Sequence, residues 1–244
     1  MVREGAKVKA KVNAYKNTAS IGLAVASICA LLLAGCAGSG AGSGARSDAE
    51  RLAVVARDTG RVERIEGKGK ARIENRLGEI EIEFVMVYEP GVMLELKGEL
   101  APGFLPFHGD VEITSTPETT LAHVNGIPLV PDGASFPGRA IHPALIAIAL
   151  GGDYVVGWLP TRGCEVDRKL ACGDIAFEFD LNRETGHVKG WTLKHEDPDG
   201  SYDGFLYKSR PKGSIELPEV LTGMAHPFEV EVYVEYYQID ATFR

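Results

Sequence analysis

The feature that most limits how this chain can fold is an alternation of polar and apolar residues with a period of two. The alternation starts after Gly60 and recurs to the C-terminus. In Glu79–Phe84 every acidic residue is followed by an apolar one, and Ile175–Leu181 and Phe228–Phe243 repeat the pattern. A period of two places alternate side chains in water and against a core. The sequence therefore predicts a mainly β protein of about ten or eleven antiparallel strands joined by short turns.

Only a few segments favour a helix. Ser47 and Glu50 form a capping-box pattern at the start of an amphipathic segment that ends near Asp58. Pro143–Leu150 is apolar on nearly every side, begins with a proline and is followed by two glycines, which predicts a short helix that another element must cover. Tyr154–Leu159 is predicted to be a strand.

The N-terminal segment has the pattern of an export signal. Five basic residues and one acidic residue precede Ile21–Ala34, an apolar run of 14 residues that is shorter than the roughly 20 needed to cross a bilayer. The next feature, Leu33-Ala34-Gly35-Cys36, resembles the bacterial lipobox. That resemblance implies a diacylglycerol on the Cys36 thiol, cleavage before Cys36 and acylation of the new amino terminus. An ordinary secretory signal with an incidental cysteine, or a short membrane anchor, remains the alternative.

These features divide the chain into three parts. Residues 1–35 are predicted to be a lipoprotein signal peptide, residues 36–46 a lipidated cysteine with a flexible Gly/Ser/Ala tether, and residues 47–244 the folded domain.

The whole chain carries a net charge of −8, and the basic leader makes the remainder more acidic still. This charge argues against binding to nucleic acid. A composition of 45% hydrophobic and 25% charged residues is sufficient for a packed core.

Two cysteines remain beyond the leader and Cys36. Cys164 and Cys172 have seven residues between them, and in an exported protein such a pair indicates a disulfide that closes a small loop. A redox pair or two metal ligands are the alternatives. Because His187 and His195 are poorly spaced to complete a zinc site, we predict no metal.

The order of these elements resembles the lipoprotein-carrier superfamily of LolA and LolB over most of residues 48–243. Three segments carry the resemblance: a helix followed by a strand pair around Ile65-Glu66-Gly67, a strand over Val92–Leu100 that runs into Ala101-Pro102-Gly103-Phe104, and Ile141–Ile146 in a helix that ends in Leu150-Gly151-Gly152. The resemblance implies a strongly curved antiparallel sheet, or half-barrel, with short helices in its mouth. It also implies an apolar cavity that accepts acyl chains and needs no catalytic residue.

Elementary packing leads to a related expectation. Two short helices cannot cover ten strands tightly, so the sheet must curl on itself or keep a gap. The apolar side chains predicted to line such a lipid cavity are Ile80, Ile82, Phe84, Val92, Leu94, Leu96, Leu145, Ile146, Phe177 and Phe179. The alternative is that the same side chains form a filled core.

The segment Ala101–His108 is unusually bulky for a turn. Phe104, Leu105 and Phe107 are predicted to contact a membrane, because the resemblance implies an exposed apolar loop there; the alternative is that the loop folds back on the sheet.

Ala37 follows the lipidated cysteine in place of the aspartate that favours retention at the inner membrane. We therefore expect a lipid-anchored protein at the periplasmic face of the outer membrane, with a periplasmic carrier as a possible partner.

No sequence motif points to catalysis or to a cofactor. The chain has no nucleophile elbow, no phosphate loop and no His-Glu-x-x-His motif, and Asp197–Gly200 fits a hairpin turn better than a calcium loop. Acidic strand faces (Glu79, Glu81, Glu83, Glu229, Glu231, Glu235) leave a hydrolase as the weakest hypothesis. The main hypothesis is a non-enzymatic, membrane-tethered protein that binds acyl chains of lipids or lipoproteins, and the alternative is an envelope scaffold with a filled core.

Overall fold

A computed structural model describes residues 47–100, 109–129, 136–158, 165–166, 169–172, 175–194, 201–226 and 229–244. Cys36, Cys164, the segment Asp197–Gly200 and the membrane-loop residues Phe104, Leu105 and Phe107 lie outside these ranges, so the predictions on them are not tested. All described residues belong to the compact unit Arg46–Arg244, which has its own hydrophobic core, the requirement for independent folding.

The described chain forms one antiparallel sheet. Its strands are β1 (Val62–Asn75), β2 (Gly78–Glu89), β3 (Met93–Leu100), β4 (Gly109–Ser115), β5 (Thr119–Val124), β6 (Ile127–Pro128), β7 (Phe136–Pro137), β8 (Glu165–Val166), β9 (Lys169–Cys172), β10 (Ile175–Leu181), β11 (Val188–Lys194), β12 (Ser201–Lys212), β13 (Ile215–His226) and β14 (Val230–Phe243). Eleven of them are longer than two residues, which confirms the predicted number of strands and the curled, half-barrel fold class.

The strand order is β6-β5-β4-β3-β2-β1-β14-β13-β12-β11-β10-β9-β8, with β7 paired to β5. Along this order, leaving β7 aside, neighbouring strands are consecutive in sequence except at the centre, where the first strand pairs with the last. The register there brings Ala71 opposite Val234 and Ile73 opposite Val232. β1 also pairs with β2 on its other side. The N-terminal and C-terminal strands of the domain therefore lie side by side in the middle of the sheet.

Turn chemistry fixes several of the hairpins. Asn125 and Gly126 connect β5 to β6 with backbone φ angles of 53° and 73°, the pair of positive values that a type I′ turn requires. Between β1 and β2, the side-chain carbonyl oxygen of Asn75 accepts a hydrogen bond from the backbone N–H of Leu77 at 2.8 Å. These local turns set the registers of the two hairpins, one at an edge of the sheet and one near its centre.

The structure contains three described helices: α1 (Asp48–Thr59), α2 (Gly138–Leu150) and α3 (Gly152–Trp158). The predicted capping box of α1 is present, because Ser47 Oγ accepts from the Glu50 backbone N–H at 3.3 Å and Glu50 Oε2 accepts from the Ser47 N–H at 2.8 Å. Leu52 and Val55 bury the inner face of α1 against α3, β10 and β11.

Two sequence predictions in the helical region differ from the structure. Helix α2 begins at Gly138 rather than at Pro143, so the proline lies inside the helix and removes one backbone hydrogen bond there. Residues 152–158 form α3 and not the predicted strand. A short apolar run does not distinguish a strand from a buried helix, and Gly151, with φ of 89°, ends α2 sharply enough for a second helix to follow.

The core lies between the concave face of the sheet and helices α2 and α3. Its fully buried members include Ile65, Tyr88, Leu94, Ile146 and Val155, each at most 1% exposed. Within the residues described, no helix has both the length and the apolar character that a membrane span requires.

Candidate functional site

An apolar pocket remains between helix α2 and the concave face of the sheet. Its volume is about 200 Å³. Strands β1 to β4 and β14 form its wall, and α2 covers it from above. The lining residues are Ala71, Ile73, Ile82, Phe84, Leu96, Gly98, Val111, Ile113, Leu145, Ile148, Ala149, Val232, Val234 and Tyr236.

The pocket carries no charge at neutral pH. Tyr236 is the only ionisable residue among the described residues that line it, and burial raises the pKa of its hydroxyl well above the ordinary value, so the phenol stays neutral. An apolar cavity of this kind offers nothing to a charged headgroup. The ligand chemistry that fits is a hydrocarbon chain.

Burial along the strands gives the pocket a direction. On β2, Ile80 and Ile82 are half-buried, whereas Met86 and Tyr88, further along the same face, are 1% exposed. On β14, Val232 is half-buried and Tyr236 is 3% exposed. The pocket is therefore most accessible at the end of the sheet that carries the β1–β2 hairpin.

Tyr236 closes the opposite end of the pocket on its β1–β14 side. Its ring lies edge-on to the ring of Phe84, with the ring centroids 5.5 Å apart and the ring planes at 89°. Its hydroxyl donates a hydrogen bond to the backbone carbonyl of Ala149 near the end of α2. The tyrosine thus joins the sheet to the helix that covers the pocket.

A glycine on β3 lets the wall pack closely beside the pocket. A Cβ atom added to Gly98 would lie 2.7 Å from Ile82 Cγ2 and 3.0 Å from the carbonyl oxygen of Glu83. Both distances are shorter than ordinary van der Waals contact. The position therefore requires glycine, which leaves the pocket wall without a side chain at this point.

Buried polar contacts hold α2 over the sheet. Ser115 Oγ lies 3.0 Å from His142 Nδ1 and 2.7 Å from Thr120 Oγ1, and all three side chains are at most 2% exposed. These contacts fix the first half of α2 to β4 and β5, as Tyr236 fixes its last turn. Both ends of the covering helix are therefore attached to the pocket wall.

Helix α3 is attached separately. The carboxylate of Asp153, 5% exposed, accepts a hydrogen bond from the Val188 N–H at 2.7 Å and lies 2.6 Å from His187 Nδ1. The hydrogen bond to Asp153 raises the pKa of His187, although burial acts in the opposite direction. On the other side of α3, the Tyr154 hydroxyl donates to the carbonyl of Glu216 at 2.8 Å.

The structure brings some of the predicted cavity residues to the pocket. Ile82, Phe84, Leu96 and Leu145 line it, and Ile80 is half-buried on the same face of β2 near its open end.

The other predicted cavity residues lie elsewhere. Leu94, Ile146 and Phe177 are at most 1% exposed in the packed core, and Phe179 is half-buried with its ring stacked on Phe177 at 5.8 Å. Val92 lies in the turn before β3 and is 57% exposed, because the strand and its alternation begin only at Met93.

The sequence prediction missed ten of the fourteen residues that line the pocket. Ala71 and Ile73 on β1, and Val232, Val234 and Tyr236 on β14, come together only through the pairing of the first and last strands. The period-two pattern of β14 marks its apolar face. No local signal in the sequence, however, indicates that β14 pairs with β1.

The acidic strand faces form ion pairs on the outer surface. Lys70 Nζ lies 2.7 Å from a carboxylate oxygen of Glu83 and 3.5 Å from one of Glu81, and Arg72 Nε lies 3.8 Å from Glu79. Glu229 pairs with Arg76, and Glu231 accepts a hydrogen bond from the Tyr233 hydroxyl. Across the described ranges, no group of three or more His, Cys, Asp and Glu residues is placed to hold a metal ion.

Comparison with solved structures identifies the class of fold. A DUF1329 family protein from Desulfovibrio piger matches over 79% of this chain and 92% of its own, with a TM-score of 0.51 and 8% sequence identity. A putative outer membrane lipoprotein-sorting protein domain from Vibrio parahaemolyticus has a TM-score of 0.47 at 5% identity, covering 80% of this chain and 94% of its own. A LolA superfamily protein from Nitrosomonas europaea has a TM-score of 0.45 at 8% identity, with the same two coverages.

Among these neighbours, one is named as a lipoprotein-sorting protein domain and one as a member of the LolA superfamily, the superfamily that the sequence resembles. At such low identities the likeness concerns the fold alone. No protein-family model matches the sequence, and no curated protein matches it significantly.

Proposed function

We propose that this protein is a membrane-tethered, non-enzymatic binding protein that takes an acyl chain of a lipid or lipoprotein into the pocket beneath α2. The observation that carries the proposal is the uncharged pocket itself, which is lined by aliphatic and aromatic residues. Burial of hydrocarbon contributes roughly 0.8 kcal/mol per methylene, and a pocket without charge leaves a polar headgroup in water.

The tether is the second part of the proposal. A triacylated Cys36 would hold the domain stably on a membrane, because two or more chains suffice where one does not. The tether over residues 37–46 would then place the domain about 15–20 Å from the surface. We place the protein at the periplasmic face of the outer membrane, where a periplasmic carrier would deliver the acyl chains.

Native mass spectrometry of residues 37–244, purified from a bacterial envelope extract, tests the proposal. We expect additional masses that correspond to bound lipid. Ala71→Phe adds a ring inside the pocket and should abolish these masses, because Ala71 is part of the lining. The matched control is Lys68→Phe, which places the same ring on the exposed outer face of β1 and should leave the bound lipid unchanged.

A scaffold that holds envelope partners is the second candidate. The observation that favours it is the packing of much of the concave face, where Leu94, Ile146 and Phe177 are fully buried. A spectrum without lipid masses in the unaltered protein would support the scaffold and contradict the acyl-chain proposal. Hydrolysis of a glycan or ester, lost on a single Glu substitution, would contradict both.

A further inference from the structure

We infer that Tyr236 is the floor of the pocket and sets the length of hydrocarbon that enters it. On this inference, the pocket takes the end of one unbranched alkyl chain, about seven methylene groups long. The inference rests on the proposed function, because it concerns the ligand of the same pocket.

The first argument is the direction of the pocket. On β14 the lining residues pass from half-buried Val232 to buried Val234 and Tyr236, and on β2 the residue beyond the lining, Met86, is buried as well. A chain would therefore enter at the hairpin end, and its methyl terminus would reach the ring of Tyr236 last.

The second argument is that the space behind Tyr236 is filled. Met86 and Tyr88 are 1% exposed, and Ile65 and Leu94 have no exposed surface. The Tyr236 hydroxyl lies 3.9 Å from the sulfur of Met86, so the ring contacts this packed region directly. On the β1–β14 side of the pocket, a ligand cannot pass beyond the tyrosine unless core side chains are displaced.

The third argument concerns the residues that make room for the two aromatic rings. A Cβ atom on Gly67 would lie 3.1 Å from Met86 Cε and 3.4 Å from Tyr236 Cδ1, and one on Gly69 would lie 3.0 Å from the ring of Phe84. Two glycines on β1 thus leave space that the rings of Phe84 and Tyr236 occupy. The floor is a packed contact of these rings, further held by the hydrogen bond from Tyr236 to Ala149.

The fourth argument is size. A volume of about 200 Å³ corresponds to roughly seven groups of the size of a water molecule or a methylene, at about 30 Å³ each. A longer chain would leave its remaining methylenes outside the pocket. The affinity should therefore stop increasing once the pocket is full.

Isothermal titration of residues 37–244 with a series of straight-chain carboxylates, from hexanoate to tetradecanoate below their micellar concentrations, tests the inference. We expect the association constant to rise about fourfold for each added methylene and to level off after about seven. Tyr236→Ala should move this break point by about three methylenes. Tyr236→Phe retains the ring and should leave the break point where it is.

Two further variants keep the test decisive. If Tyr236→Ala fails to fold, Tyr236→Leu removes less volume and should move the break point by about one or two methylenes. Tyr233→Ala removes a tyrosine on the same strand whose ring packs against Arg72, away from the pocket, and should not move it.

The outcomes separate the inference from the proposed function. An unaltered protein that binds none of the carboxylates contradicts the proposed function and the inference together. Affinity that keeps rising through tetradecanoate, or a break point that is the same in the Ala, Leu and unaltered proteins, overturns the inference alone and leaves acyl-chain binding in place.

Discussion

At the scale of single residues, Asp153 shows how one buried carboxylate can fix a short helix. It lies in the first turn of α3 and accepts the Val188 N–H, while His187 contacts its second oxygen. A helix of seven residues has little stability of its own, so such tertiary contacts must hold it. The contact also makes the stability of the fold depend on pH.

We predict that the free energy of unfolding decreases as pH rises from about 6 to 8. The pKa of His187 is raised in the folded protein by its hydrogen bond to Asp153, and Glu216 and Asp58 add to the increase. The stabilisation is therefore fully present below the unfolded pKa, near 6.5, and is lost as pH rises through the folded value. The loss should be about 1–2 kcal/mol, measured by urea unfolding at a series of pH values.

His187→Gln should remove most of this pH dependence. His226→Gln serves as the control, because the imidazole of His226 is 43% exposed and lies 3.7 Å from Asp203, so its removal should change little. An unaltered pH profile in His187→Gln would show that another group carries the dependence.

At the scale of elements, α2 is the covering helix of the pocket. Its contacts with the sheet matter more for its position than its own sequence does. Its mostly apolar composition predicts burial, but Pro143 removes one of its hydrogen bonds. The contact from His142 to Ser115 and the bond from Tyr236 to Ala149 attach its two halves to the sheet. The pocket exists because these two attachments hold the helix above the strands.

Ser115→Ala should loosen the first half of α2. The substitution removes the hydroxyl that contacts both His142 and Thr120 in a fully buried setting, and the expected cost is about 1–3 kcal/mol. Hydrogen exchange should show faster exchange of α2 amides with little change in β10 and β11. Thr116→Ala, at the exposed turn beside it, should cost less and leave α2 protected. Equal protection of α2 in both variants would contradict this attachment.

At the scale of the whole molecule, the sequence predicted most of the strands but not which strands distant in sequence pair with each other. The alternation in Glu79–Phe84 and Ile175–Leu181 identifies strands because each has one buried and one solvated face. The number of strands follows from repeating that argument, whereas the half-barrel class was implied by the resemblance to the LolA and LolB superfamily. Helix α3 was missed because a segment of only seven residues has no resolvable period.

The candidate site was predicted only in part for a similar reason. Ile82, Phe84 and Leu96 belong to consecutive strands, so a local pattern is enough to place them on one face. The opposite wall depends on the pairing of β1 with β14, strands that lie at opposite ends of the domain in sequence. Tyr236, which closes the pocket, therefore has no local signature.

The proposed lipid anchoring belongs to the scale of the whole chain, and Cys36 is the residue that tests it. We expect the protein to fractionate with outer membranes and to incorporate labelled palmitate. Cys36→Ser should eliminate the label and release the protein from the membrane fraction, because no acyl chain would then remain at that position. Cys29→Ser, within the leader, should leave both the label and the fractionation unchanged. Retention of label in Cys36→Ser would place the lipid on another residue.

The pairing of β1 with β14 also has a consequence for biogenesis. A polypeptide that emerges N-terminus first presents β1 about 170 residues before its central partner arrives. Until then, β1 has a bare edge and the apolar face that it shares with β2 is only partly covered. Long-range pairing of this kind is slow and exposes nascent chains to aggregation. The sheet therefore cannot be completed until β14 has been synthesised. A chain truncated at its C-terminus would lose a central strand of the sheet and not merely an edge strand.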